Sequence, residues 1–166
     1  GFFRFYKIAD TPPGFYPDEA INGNDAINAL ETHNYPMFYP DNNGREGLLI
    51  NLEALSISYF GKTIGAVRAV SAFAGFLTVL GLYFLGSVLF NRKIGLMASF
   101  LLATSFWHVN FSRIAFAGVL APLCLVWMLY FFWRGVQTTK LFYFITSGFF
   151  LGLGFHTYIA FRGIPL

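Results

Sequence analysis

An all-α, polytopic membrane protein is the fold class this sequence predicts, and three observations predict it. Hydrophobic residues make up 56% of the 166 positions, aromatic residues 20% and charged residues only 11%, a balance foreign to soluble domains. The chain also divides at its charges into four apolar stretches, 69–90, 94–111, 114–133 and 141–161, each close to the roughly 20 residues a spanning helix needs. Finally, all eight acidic residues lie at or before Glu53. A polar segment, 1–65, therefore precedes a membrane part, 66–166.

Within the polar segment, Thr11-Pro-Pro-Gly14 is a turn-forming cluster, and Pro17 can open a helix that runs to Leu30. Proline fits a first helical turn, and the acids Asp18 and Glu19 sit favourably at its N-terminus. Asp18, Asn22 and Asp25 then share one helix face. Three oxygen ligands at that spacing could contact a divalent cation, but a solvated face carries the same pattern, so no metal site is assigned and no cofactor is required. Further on, Tyr35 to Gly44 is aromatic and turn-rich. Leu48, Leu52, Leu55 and Tyr59 recur at helical spacing, which describes an amphipathic helix lying at the membrane interface. Aromatic side chains there anchor to headgroups or stack on sugar, and sequence does not separate the two.

The apolar stretches follow. The second contains His108 and the fourth His156. Arg92, Lys93, Arg134 and Lys140 fall in the two short loops that must share a face, and the positive-inside rule makes that face cytoplasmic. Residues 1–65, Arg113 and Arg162 are then extracytoplasmic. Gly148-Phe-Phe-Leu-Gly152 is a small-residue pattern that predicts close helix packing. The single cysteine, Cys124, forms no internal disulfide. The +3 net charge is a topology signal, and no Lys/Arg-rich run points to nucleic acid. The sequence reads as a fragment of a longer multi-pass protein, inactive alone.

The chemistry concentrates at one membrane face. Asp18 and Glu19 place two carboxylates beside the bilayer, where a carboxylate can act as general base on a hydroxyl. Arg68, Arg113, His156 and Arg162 recur at the outer ends of spans. Cations at that boundary suit an anionic lipid headgroup, since guanidinium grips phosphate bidentately. Snorkelling is the better explanation of any one of these arginines and a shared site the better explanation of the whole set facing Asp18 and Glu19, while a histidine on an apolar face is usually packed and hydrogen-bonded. Glu46 is either a further functional carboxylate or a helix-start residue.

With these residues in view, the chain resembles a known family. Phe15-Tyr-Pro-Asp-Glu-Ala20, Asn42-Asn-Gly-Arg-Glu-Gly-Leu48, Phe60 to Ser71, Ser112-Arg113 and Phe155-His-Thr-Tyr158 are similar to the N-terminal part of dolichyl-phosphate-mannose-protein mannosyltransferase-like enzymes, polytopic GT-C glycosyltransferases. The resemblance implies a GT-C-type helical bundle. It also implies transfer of a sugar from a polyprenyl-phosphate carrier to a hydroxyl of a protein, lipid or glycan at the outer face of a bacterial-type plasma membrane. On that reading Asp18 is the catalytic base with Glu19 beside it, and Arg45, Glu46, Arg68, Arg113, His156 and Arg162 bind substrate. Arg45-Glu46-Gly47 departs from the Pro-Pro-Leu type sequence many members carry, so the acceptor is not implied. The competing class is a transporter or flippase for lipid-linked sugars. Against it, the charges gather at one face and leave the midplane nearly empty, where an alternating-access site would lie.

Overall fold

Pro17 opens the first long helix, as expected of a ring that fixes φ and lacks an N–H. In a computed structural model describing residues 1–40 and 44–163, this helix is α2 (Pro17–Thr32) and follows a single turn, α1 (Phe2–Phe5). Glu19 reaches back to accept from the Tyr16 N–H at 2.9 Å, closing the helix start. A two-residue antiparallel ribbon comes next, β1 (Phe38–Tyr39) and β2 (Arg45–Glu46), pairing Phe38 with Glu46 and Tyr39 with Arg45. It delivers the chain directly into α3 (Gly47–Phe60). The Asn42-Asn43 part of the motif above, and 164–166, lie outside the described residues.

The amphipathic reading of α3 holds with its faces resolved. Leu52, Leu55 and Tyr59 are exposed, whereas Leu49, Ile50, Glu53, Ala54 and Ile57 are buried. The outward stripe suits lipid contact. The inward stripe forms a core with Ala26 of α2, Tyr39 of β1, Ala66 and Val67 of the next helix, and Ala115. The polar segment is thus packed onto the helical bundle by its own apolar core.

The bundle begins with α4 (Ile64–Leu89), whose start is closed by the Thr63 hydroxyl accepting from the Ala66 N–H at 3.2 Å. Its 26 residues span about 39 Å at 1.5 Å per residue. It and the segment Ala117–Thr138, a 3-10 turn (Ala117–Val119) leading into α7 (Leu120–Thr138), are long and apolar enough to cross a membrane. Pro122 lies in the first turn of α7, where the missing N–H costs little. The stretch 94–111 is instead broken into α5 (Arg92–Thr104) and α6 (Phe106–Arg113), bent by 59°. The break falls at Ser105, whose ψ of 122° is extended. Arg4 donates to the carbonyls of Leu102 and Ala103 at 3.4 and 3.3 Å, filling acceptors that the ended helix leaves without N–H partners. The last stretch forms α8 (Leu141–Gly154) and then a 3-10 turn, Ile159–Gly163. At 14 residues, about 21 Å, α8 is shorter than the roughly 30 Å hydrocarbon core. The described helices therefore give two spans by length and composition, or three if the bent pair is one, where four apolar stretches were read.

Backbone approach decides the helix packing. A Cβ on Gly86 would lie 2.9 Å from the Gly95 Cα, so α4 and α5 meet at that pair. The expected Gly148/Gly152 packing is not seen among the described residues, because a Cβ at either position meets nothing within 4 Å. Trp127 donates to the Leu77 carbonyl at 3.2 Å and Ser147 to that of Met128 at 2.9 Å, tying α7 to α4 and α8 to α7. Leu96, Met97, Phe100 and Leu101 of α5 and Leu141, Phe142, Ile145 and Phe149 of α8 point outward. Apolar faces of that extent suit lipid rather than water.

Candidate active site

Residues 1–16 contribute nothing to the apolar cores, and buried arginines hold them. Arg68, 0% exposed on α4, donates to the carbonyls of Ile8, Pro12 and Gly14 at 3.2, 3.0 and 2.7 Å. Its Nε and Nη2 also bind the two Glu19 oxygens at 2.9 and 3.0 Å. Those five bonds use all five guanidinium donors. Arg113, at the end of α6, donates to the carbonyls of Phe3, Tyr6, Lys7 and Thr11 at 2.6 to 3.3 Å. Arg68 and Arg113, expected to hold the lipid phosphate, here organise the loop that leads into α2. A backbone segment with buried carbonyls needs donors, and long cationic side chains from the bundle supply them.

Glu19, expected beside the catalytic base, is bound into the protein by the same network. It is 1% exposed and accepts from Tyr16 N, Arg68 and the Ala115 N–H, the last at 3.0 Å. Asn22, one turn on, donates to the Ala115 carbonyl at 3.2 Å. The Ala115 residue is therefore gripped on both sides by α2, which fixes the first turn of α2 against the connection between α6 and α7.

That grip leaves Asp18 on the outer side of the turn. Asp18 is exposed and lines a cavity of about 520 Å³ together with Asn22, Arg45, Glu46 and Arg162. Phe38, Phe116 and Tyr158 supply aromatic walls. Arg162 donates to Glu46 Oε1 at 3.1 Å, and Arg45 binds Asn22 and Asp25. Two oxygens of the Asp18, Asn22, Asp25 face are thus turned toward a guanidinium. Among the described residues no group of three or more His, Cys, Asp or Glu side chains could hold a metal ion. His156 is exposed after α8 and lies outside this cavity. His108 is also apart from it, its Nδ1 accepting from Arg4 Nη2 at 2.7 Å. The fold brings the expected base, Asp18, together with Arg45, Glu46 and Arg162 of the residues expected to bind substrate.

Phe38 lies in the aromatic stretch 35–44 and Tyr158 in the Phe155-His-Thr-Tyr158 motif, whereas Phe116 carries no signal in sequence beyond being aromatic. Glu53 was legible only as the last acid of the chain. It is 0% exposed with neither oxygen hydrogen-bonded, and burial, reinforced by the charge of Glu19 and opposed by Arg45, pushes its carboxyl well above the usual carboxylate range. The folded state therefore holds a proton that the unfolded chain releases above about pH 4.3. Stability is greatest below that pH and falls as pH rises toward the folded value. Glu53→Gln removes this dependence. Its thermal midpoint in detergent should match the wild type near pH 4 and exceed it by a margin that grows through neutrality; equal midpoints at pH 4 and pH 8 would show that Glu53 is not held protonated.

Residues 51–161 match the family model of dolichyl-phosphate-mannose-protein mannosyltransferase. The chain belongs to that family. It is a GT-C-like helical membrane protein, and the family uses a polyprenyl-phosphate-linked sugar as donor to glycosylate. The matched residues include Arg68, Arg113 and His156, whereas Asp18, Glu19, Arg45, Glu46 and Arg162 flank them. No curated protein and no solved structure matches the chain.

Proposed function

We propose that this mannosyltransferase-family protein transfers a sugar from a polyprenyl phosphate to a neutral hydroxyl at the extracytoplasmic face, in the cavity beside Asp18. The observation that carries it is one cavity holding an exposed carboxylate and two arginines, Arg45 and Arg162. The acceptor oxygen attacks the anomeric carbon and forms the new C–O bond. The bond from that carbon to the phosphate oxygen breaks, its electron pair leaves with the phosphate, and Asp18 takes the hydroxyl proton and passes it to water. The leaving phosphate gains negative charge, which a nearby guanidinium stabilises, and a base near the incoming hydroxyl lowers the barrier. Arg162 is the cation best placed for exchange, because its side chain is 56% exposed and holds Glu46 by one bond. A divalent cation is not required by this balance. The basic loops between spans, Arg92-Lys93 and Arg134 to Lys140, lie on the cytoplasmic side.

The test is transfer of radiolabelled sugar from polyprenyl-phosphate donors by the full-length protein in liposomes. Arg162→Ala should raise the donor KM about 10- to 100-fold, the scale of a lost charge-assisted hydrogen bond. Wild-type protein that moves lipid-linked sugar across the bilayer without transferring it would instead make the protein a transporter.

A further inference from the structure

Glu46 and Arg162 both line the cavity beside Asp18 and are joined by a hydrogen bond of 3.1 Å. Each is set there by its own backbone. Glu46 pairs with Phe38 in the ribbon, and the next residue donates its Gly47 N–H to the Met37 carbonyl at 2.8 Å. A Cβ on Gly47 would run into the Pro36 carbonyl oxygen, so the chain at Glu46 is packed tightly against residues 36–37. Arg162 follows Phe161, which is 0% exposed and lies so close to α8 that a Cβ on Gly154 would run into its ring. That buried ring anchors the turn. An exchange at this pair therefore moves the long Arg162 side chain and not the main chain on either side.

We infer that Glu46 is a positioning residue acting through Arg162: it yields this cation to the donor phosphate and drives the spent lipid phosphate out after transfer. This rests on the transferase reading above. Arg45 is engaged with Asn22 and Asp25, whereas the Arg162 side chain is 56% exposed and that of Glu46 14%. An ion pair open to solvent contributes little to stability, so an incoming phosphate can displace the carboxylate. The carboxylate stays behind when the arginine turns away. Its backbone keeps it in the same cavity as the phosphate, where like charges repel. That repulsion differs between the two lipids. A sugar phosphodiester carries about one negative charge, whereas the phosphate monoester left after transfer carries close to two above its second pKa of about 6. Coulomb energy scales with the product of the charges, so Glu46 pushes on the product about twice as hard as on the donor. Without that push the guanidinium would favour the more highly charged product, and release of the spent lipid would limit turnover.

The test uses the full-length protein in liposomes at pH 8. Equilibrium binding of a polyprenyl-phosphate hexose and of the bare polyprenyl phosphate is measured without acceptor, and sugar transfer is measured beside it. Glu46→Gln keeps the shape of the side chain and an oxygen that accepts from Arg162, and loses the charge. It should tighten donor binding about threefold and product binding about tenfold, the second effect being the square of the first because the charge is doubled. Glu46→Asp keeps the charge and should hold both affinities within about twofold of wild type. A structural role for Glu46 would weaken both lipids and would not separate them. Equal changes for the two lipids in Glu46→Gln, or weaker binding of either, overturn the positioning role. Wild-type protein that binds both lipids but neither transfers the sugar nor hydrolyses the donor overturns the transferase reading itself.

Discussion

Asp18→Asn should abolish most sugar transfer while leaving donor binding intact. The amide keeps the shape of the side chain at the cavity wall but cannot accept the hydroxyl proton. A positioned general base contributes about 10²- to 10⁴-fold to a rate, so the transfer rate at saturating donor should fall by that order. Because Glu19 carries the bonds that lock α2 to Arg68 and Ala115, the substitution should lower the thermal midpoint far less than loss of Glu19. Rate loss without comparable stability loss separates a base from a structural acid. Transfer that survives in Asp18→Asn within a few-fold of wild type would remove Asp18 from the chemistry.

The opposite pattern is expected one residue later. Glu19→Ala strips two bonds from Arg68, one from the Ala115 N–H and one from the Tyr16 N–H. It leaves a fully buried guanidinium without its counter-charge. Breaking a buried pair by removing one partner costs about 3 to 5 kcal/mol, enough to unfold the outer segment in a marginal fold. A double variant, Glu19→Met with Arg68→Leu, tests whether the pair or the arginine matters. Replacing a buried ion pair with apolar groups is often neutral, but here it would also orphan the carbonyls of Ile8, Pro12 and Gly14. The double variant should therefore remain destabilised, measured as the thermal midpoint and as protease sensitivity of the first residues. A double variant as stable as wild type would show that Arg68 does not organise the N-terminal loop.

Adjacent carboxylates thus take separate roles because they are adjacent. On a helix, successive residues project about 100° apart, so when Glu19 turns into the protein, Asp18 turns out of it. The pair is visible in sequence, but the direction of α2 against α4 is not, and that direction assigns the roles. The same holds for the arginines. Four were expected to bind substrate, and their spacing could not tell that Arg68 and Arg113 meet backbone carbonyls more than 50 positions away, whereas Arg45 and Arg162 line one cavity.

By itself the sequence determined the membrane setting, the helical class, the start of α2 at Pro17 and the family, because composition, apolar run length and helix-start chemistry are local properties. Tertiary structure alone decided which acid faces the cavity, which cations are already engaged and where the span at Ser105 breaks. Each of these depends on contacts between residues far apart in the chain, and no local pattern encodes which distant donor will satisfy a buried acceptor.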